Sequence, residues 1–185
     1  MSSTHTPSPV AKVVATGIGA ALFFVLGRFV AIPSPLPNTT ISLQYAVLAL
    51  FAVLYGPTVG ALSGFIGHLL IDATWGIWIS WEIASGVFGL VLGLLVLHNH
   101  VRAGDFKGWT ALRFNLSVIL AHAVSWLLVA PLGDILIYSE PASKVFTQGA
   151  FAFVSNSVTT CVVGSIILAI YARSRTRAGS LKAEE

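Results

Sequence analysis

Six apolar stretches, each nearly free of charged side chains and separated by short runs of Gly, Pro and polar residues, constrain this chain more than any other feature. They cover residues 11–31, 42–55, 57–74, 80–97, 112–130 and 145–171. About 20 apolar residues in a helix cross the hydrocarbon core of a bilayer. Inside that core every backbone N–H and C=O must be satisfied within the chain, and helices do this segment by segment. The sequence therefore predicts an all-α membrane protein of six transmembrane helices. With 56% apolar and 9% charged residues in 185, the chain has too little polar surface for a soluble enzyme or a disordered segment. The one cysteine, Cys161, lies inside an apolar run and excludes a disulfide scaffold. The formal charge of +3 comes without any Lys/Arg cluster interleaved with aromatics, so no nucleic-acid partner is expected.

The basic residues predict orientation. Lys12, Arg102, Lys107, Arg113, Arg173, Arg175, Arg177 and Lys182 fall on one side of a six-span chain, and Arg28 and Lys144 on the other. Since cytoplasmic loops carry the Lys/Arg excess, both termini are expected inside. Residues 1–10 read as a flexible cytoplasmic leader, 11–171 as a single six-helix domain and 172–185 as a basic cytoplasmic tail. The first apolar run is too long for the core of a signal peptide, and Arg28 stands where a small-residue cleavage site would belong. The second span, about 14 residues, is expected to start in the headgroup region or pack against longer neighbours.

Polar and aromatic residues collect toward the outer end. Pro33, Pro35 and Pro37 keep the connection between the first two helices extended, and Asn38 and Gln44 offer hydrogen bonds there, either as part of a gate over a cavity or as plain surface. His68 and Asp72 lie one turn apart on the third span. Ionisable residues at this depth are costly unless they pair with each other or line a wet cavity, and two such side chains without a third make a poor metal site. Trp75, Trp78 and Trp81 precede Glu82, while His122 and Trp126 sit one turn apart on the fifth span. The indoles suit an interfacial belt or, with the carboxylates, a platform for a flat heterocyclic ligand. Asn156 reaches the sixth span near its midplane. Asp134, after Pro131, reads as an exposed residue of the outer loop, and Asn115 as a packing hydrogen bond. Gly56, Gly60 and Gly64 on the third span, and Gly86, Gly89 and Gly93 on the fourth, mark faces of close helix approach; Ala11, Ala15 and Gly19 on the first span mark another, facing either this chain or a partner. No phosphate-binding loop, HExxH or CxxC occurs, so any ATP-driven step needs another subunit.

The stretch ATGIGAALFFVLGRFVAIPSPLPNTTISLQYAVLALFAVLYGPTVGALSGFIGHLLID resembles the S components, or substrate-binding subunits, of energy-coupling factor (ECF) transporters, in the subgroup termed ECF-type riboflavin transporter S components. The likeness is strongest over residues 11–98. It implies an S-component-like bundle in a bacterial cell membrane that takes a vitamin or similar micronutrient from outside and docks on a transmembrane coupling protein with two ATPase subunits. It also implies that the loop over residues 32–41 acts as a gate, that Ala11, Ala15 and Gly19 face the coupling protein, and that the whole subunit topples during transport. Riboflavin is the first-choice ligand and no cofactor is expected; cobalamin, a queuosine precursor and a methionine-related compound are the other ligands considered. The expected ligand contacts are Asn38, Gln44, His68, Asp72, Trp75, Trp78, Trp81, Glu82, His122 and Trp126. The same residues allow two other functions: a self-sufficient proton-coupled transporter using His68, Asp72 or Glu82 as a relay, and an intramembrane enzyme with His68 and Asp72 as acid and base, for which no nucleophile is identifiable.

Overall fold

The computed structural model describes residues 7–37 and 39–175. Most of the leader and tail, and Asn38, lie outside the described residues. Six helices follow one another: α1 Pro9–Phe29, α2 Gln44–Tyr55, α3 Pro57–Asp72, α4 Ile79–Leu95, α5 Trp109–Tyr138 and α6 Ala142–Ser174. The start of α1 is set locally. Ser8 Oγ accepts the Ala11 N–H at 3.2 Å and Pro9 occupies the first turn, where its missing N–H costs nothing. With 21 residues, α1 is about 31 Å long and matches the hydrocarbon core. The 12 residues of α2 give only about 18 Å, and α2 is almost wholly buried among its neighbours.

Glycine lets α3 and α4 touch backbone to backbone. A Cβ on Gly60 would stand 2.6 Å from the Gly89 carbonyl oxygen, one on Gly89 2.2 Å from the Gly60 carbonyl, and one on Gly64 2.4 Å from the Ser85 carbonyl. The stripe on α1 is used in the same way. Gly19 packs against Ser63 and Phe51, and Ala15, 4% exposed, lies with Phe51 and Val59. This corrects the expectation that Ala15 and Gly19 face a partner protein: their small size admits α2 and α3 of the same chain, and only Ala11, at the end of the stripe, is partly open. Outward-facing apolar residues recur every four positions on α6 at Val154, Val158, Val162, Ile166 and Ile170, as a lipid-facing stripe does.

The largest departure from the sequence reading is in α5. The span was expected to stop near residue 130, yet the helix continues through Pro131 to Tyr138. Over Val124–Val129 the turn widens to π geometry, with the Ala130 N–H bonding the Ser125 carbonyl five residues back. Proline removes a donor and its ring crowds the preceding turn, and a widened turn beside it gives the room. α6 closes against this turn at Gly149, where a Cβ would lie 2.2 Å from the Trp126 carbonyl oxygen. As a result Asp134 is carried into the bundle instead of an outer loop.

The two ends of the bundle differ. At one, Asn99 Nδ2 donates to the Val53 carbonyl (3.0 Å) and Gly104 lies beside Ala172, so the connection after α4 meets the last turn of α2 and the end of α6. The start of α1 is at this end too, since Ala15 packs on Phe51 and Val59. At the other, the connection after α1 folds into a small antiparallel hairpin, β1 Ile32–Pro33 with β2 Thr40–Ile41, pairing Ile32 with Ile41 and Pro33 with Thr40. The extended backbone that the prolines impose thus becomes strand. Its tip is tied by the Ser34 N–H to the Thr39 carbonyl (3.2 Å) and by contact between their hydroxyls.

Candidate functional site

Beneath the hairpin lies a cavity of about 790 Å³, walled by residues of all six helices except the outer faces. Small-molecule sites fall in this size range. Asp134 organises one wall. Its Oδ1 accepts from Trp78 Nε1 at 2.7 Å and from the Ser80 hydroxyl, and its Oδ2 accepts from Trp81 Nε1 at 2.9 Å. One carboxylate from α5 therefore fixes two indoles that approach from the α3–α4 connection and α4. Trp78 is further held by stacking on Tyr138, centroids 4.1 Å apart and planes 23° from parallel, while the Tyr138 hydroxyl accepts the Ile79 N–H at 2.9 Å. Because Asp134 is 2% exposed and its donors are neutral N–H and O–H groups, it is structurally satisfied and does not act as an exposed loop charge, correcting the sequence expectation.

The floor is aromatic. Trp126, 1% exposed, lies against Trp81 at 5.2 Å and edge-to-face with Tyr45 at 5.6 Å. The Ser85 hydroxyl joins the Tyr45 hydroxyl (2.7 Å) to His68 Nδ1 (2.6 Å). Below Trp126, His122 stacks on Phe88 at 4.0 Å and takes the indole N–H on Nδ1 at 3.1 Å. An indole nitrogen only donates, so the ring proton of His122 is on Nε2, which faces Thr160 Oγ1 at 3.2 Å. The third wall comes from α6, through Gln148, Ala152 and Asn156. Gln148 also reaches across to the lid, donating from Nε2 to the Pro37 carbonyl at 2.9 Å. At the mouth, Trp75 is 72% exposed with the Arg28 guanidinium 4.5 Å above its ring, and Lys144 pairs with Glu140 at 2.7 Å.

Of the residues singled out in the sequence, Gln44, His68, Asp72, Trp75, Trp78, Trp81 and Trp126 line this one cavity. Asp72 accepts the Trp78 N–H at 3.2 Å and stands 3.7 Å from His68 Nε2, too far for a direct hydrogen bond. Two others stand back from the wall. His122 is fully buried beneath Trp126, because the one-turn spacing that put it on the same face also put it a layer deeper. Glu82 is fully buried, with its carboxyl against that of Asp72. Sequence reasoning missed Tyr45, Glu140, Lys144 and Gln148. For Lys144 the available signal was Pro141, after which α6 starts three residues before the expected boundary and takes this basic side chain onto its first turn.

Residues 8–173 match the family described as ECF-type riboflavin transporter, S component. Among curated relatives, a UPF0397 protein of Streptococcus gordonii is 52% identical over 179 residues, covering 96% of each chain. A UPF0397 protein of Lactococcus lactis subsp. cremoris is 52% identical over 93% of this chain and 96% of its own, and one of Streptococcus pneumoniae is 50% identical over 94% and 96%.

Proposed function

The chain belongs to the family of ECF-type riboflavin transporter S components, a multi-pass membrane subunit and not an enzyme, and from that premise we propose that it captures a flat, vitamin-like micronutrient in the cavity under the hairpin. The observation that carries this reading is the pair of indoles, Trp78 and Trp81, both fixed by Asp134 on the wall of a cavity with a lid. A preset aromatic wall lowers the ordering cost of binding a planar ring.

Riboflavin is the first ligand to test: its isoalloxazine suits the indoles and its ribityl hydroxyls suit Gln44, Gln148 and Asn156. Arg102, Lys107, Arg113, Arg173 and Arg175 occupy the end of the bundle away from the cavity, which favours an inward-facing position for that end and an outward-facing cavity. The hairpin then serves as the gate, with Gln148 as its latch.

With Ala15 and Gly19 used inside the bundle, the surface of α1 left for a coupling protein is its outer face around Gly17 and Ala21. A Cβ on Gly17 would meet nothing within 4 Å, so another helix can approach there. The test is uptake of labelled riboflavin by cells holding this chain with and without a coupling protein and its two ATPases, alongside titration of the purified chain. Uptake only with the ATPase module supports the capture role; uptake by this chain alone, driven by a pH gradient, would mark a self-sufficient transporter.

A further inference from the structure

Four residues of α6 come round to the cavity at intervals of four: Lys144, Gln148, Ala152 and Asn156. They descend from the mouth to the floor over about 18 Å. Lys144 pairs with Glu140, Gln148 is tied to the Pro37 carbonyl, and Ala152 offers only a methyl group. Asn156 has no such partner. It is 6% exposed, its carboxamide makes no hydrogen bond to any described residue, and neither its oxygen nor its nitrogen is closed off from the cavity it borders. A carboxamide presents one acceptor and two donors, and burying these unpaired is costly. The turn below fixes its height. Thr160 Oγ1 meets His122 Nε2 at 3.2 Å, and His122 takes the Trp126 N–H on Nδ1 at 3.1 Å. The two helices run antiparallel, so Asn156 stands one turn outward of Thr160 as Trp126 stands one turn outward of His122. The amide is therefore level with the floor indole. The neighbouring floor groups are committed to one another, Tyr45 and His68 through Ser85, and Trp126 to His122.

We infer that Asn156 reads the edge of the captured ring, and that this edge carries an N–H directly beside a C=O, as in a ring lactam or imide. Such an edge gives the carboxamide oxygen a donor and its nitrogen an acceptor at once, and the amide can turn to match either order. An edge of acceptors alone leaves half of the amide unpaired, and an apolar edge leaves all of it unpaired. Ala152, one turn above, has no side chain beyond Cβ, so the body of the ring has room there. A polar tail then reaches toward Gln148, about 12 Å from Asn156 along the helix. The inference rests on the capture reading and narrows it: isoalloxazine, pteridinone and purinone rings qualify, and rings without the N–H do not. Of the amides that suit riboflavin, Asn156 is assigned to the ring and not to the ribityl chain.

The test uses the full chain in lipid nanodiscs with ¹⁵N-labelled asparagine, of which it has four; the Asn156 side-chain signal is assigned by replacing the other three in turn. The chain is titrated with quinazolin-4-one and with its 3-methyl derivative, two flat probes that differ in whether the lactam N–H is free or capped. The parent is expected to move the Asn156 signal saturably and to bind roughly ten- to a hundredfold more tightly than the 3-methyl compound. Asn156→Leu, close in shape but unable to pair, should bring the two probes to equal affinity. Equal binding by the unaltered chain, a 3-methyl penalty that survives in Asn156→Leu, or no saturable binding of the parent overturns the inference. If Asn156→Leu does not fold, the Asn156 signal of the unaltered chain decides: a signal that stays still with the parent, or moves equally with both probes, overturns it. Dependence of uptake on the ATPase module is read separately, so a failed edge preference leaves the capture role standing.

Discussion

Replacing Asp134 with Ala removes the one group that orients both cavity indoles. The change deletes the acceptor of Trp78 Nε1, Trp81 Nε1 and the Ser80 hydroxyl. Water entering from the cavity can hydrogen-bond the two indoles, so the main loss is their fixed orientation, which ligand binding must then restore. Immobilising a large side chain on binding costs about 0.5–1.5 kcal/mol. For two indoles that is about 1–3 kcal/mol, or a weakening of roughly five- to a hundredfold. Asp134→Asn should fall between: it keeps an acceptor for one side, but its amide meets an N–H or O–H donor on the other. The assay is the dissociation constant of the best-binding indole or flavin probe for the three proteins, read with near-ultraviolet circular dichroism of the tryptophans. Asp134→Ala is expected to lose both affinity and dichroic intensity. Undiminished affinity together with an unchanged indole spectrum would refute the assignment of Asp134 as the organiser of the wall.

Three further predictions concern packing, docking and gating. Gly89→Val puts side-chain carbon against the Gly60 carbonyl and should lower stability by about 1–3 kcal/mol or more, measured as a fall in thermal midpoint in detergent. Gly17→Leu should leave ligand binding intact while abolishing association with the coupling protein in a pull-down, whereas Gly19→Leu, which collides with Ser63 and Phe51, should lose the folded state itself; the reverse pattern would return the docking face to the buried stripe. Gln148→Ala unlatches the hairpin from α6 at a cost of about 1 kcal/mol, and should speed probe release about fivefold in stopped-flow fluorescence, with little change in thermal midpoint.

The six helices were legible because lipid requires long uncharged runs, and all six begin within about three residues of the positions read from hydropathy. The fifth was misjudged at its far end, which lies at Tyr138 instead of near residue 130. Pro131, Gly133 and Asp134 look like the punctuation of a loop, and nothing local reveals that a widened turn absorbs the proline. Nor can local pattern show that the partners of Asp134 are Trp78, Ser80 and Trp81, more than fifty positions earlier. The aromatic and acidic cluster was visible as a concentration of unusual side chains for an apolar chain, but its depth was not. His122 and Trp126 share a face, yet only Trp126 reaches the cavity. The small-residue stripes reported close approach correctly and were silent about the approaching helix. Ala15 and Gly19 read equally well as an external face until Ser63, Phe51 and Val59 were found on them.

The central claim, that the cavity under the hairpin is where this subunit holds its substrate, is tested most directly by mass spectrometry of the small molecule released from the purified protein. The comparison is the unaltered chain against Ala152→Trp, which fills the cavity from the α6 wall. A planar heterocycle carried by the unaltered chain and absent from Ala152→Trp is the predicted result. The same molecule released in equal amount from both proteins would place the substrate elsewhere and contradict the account.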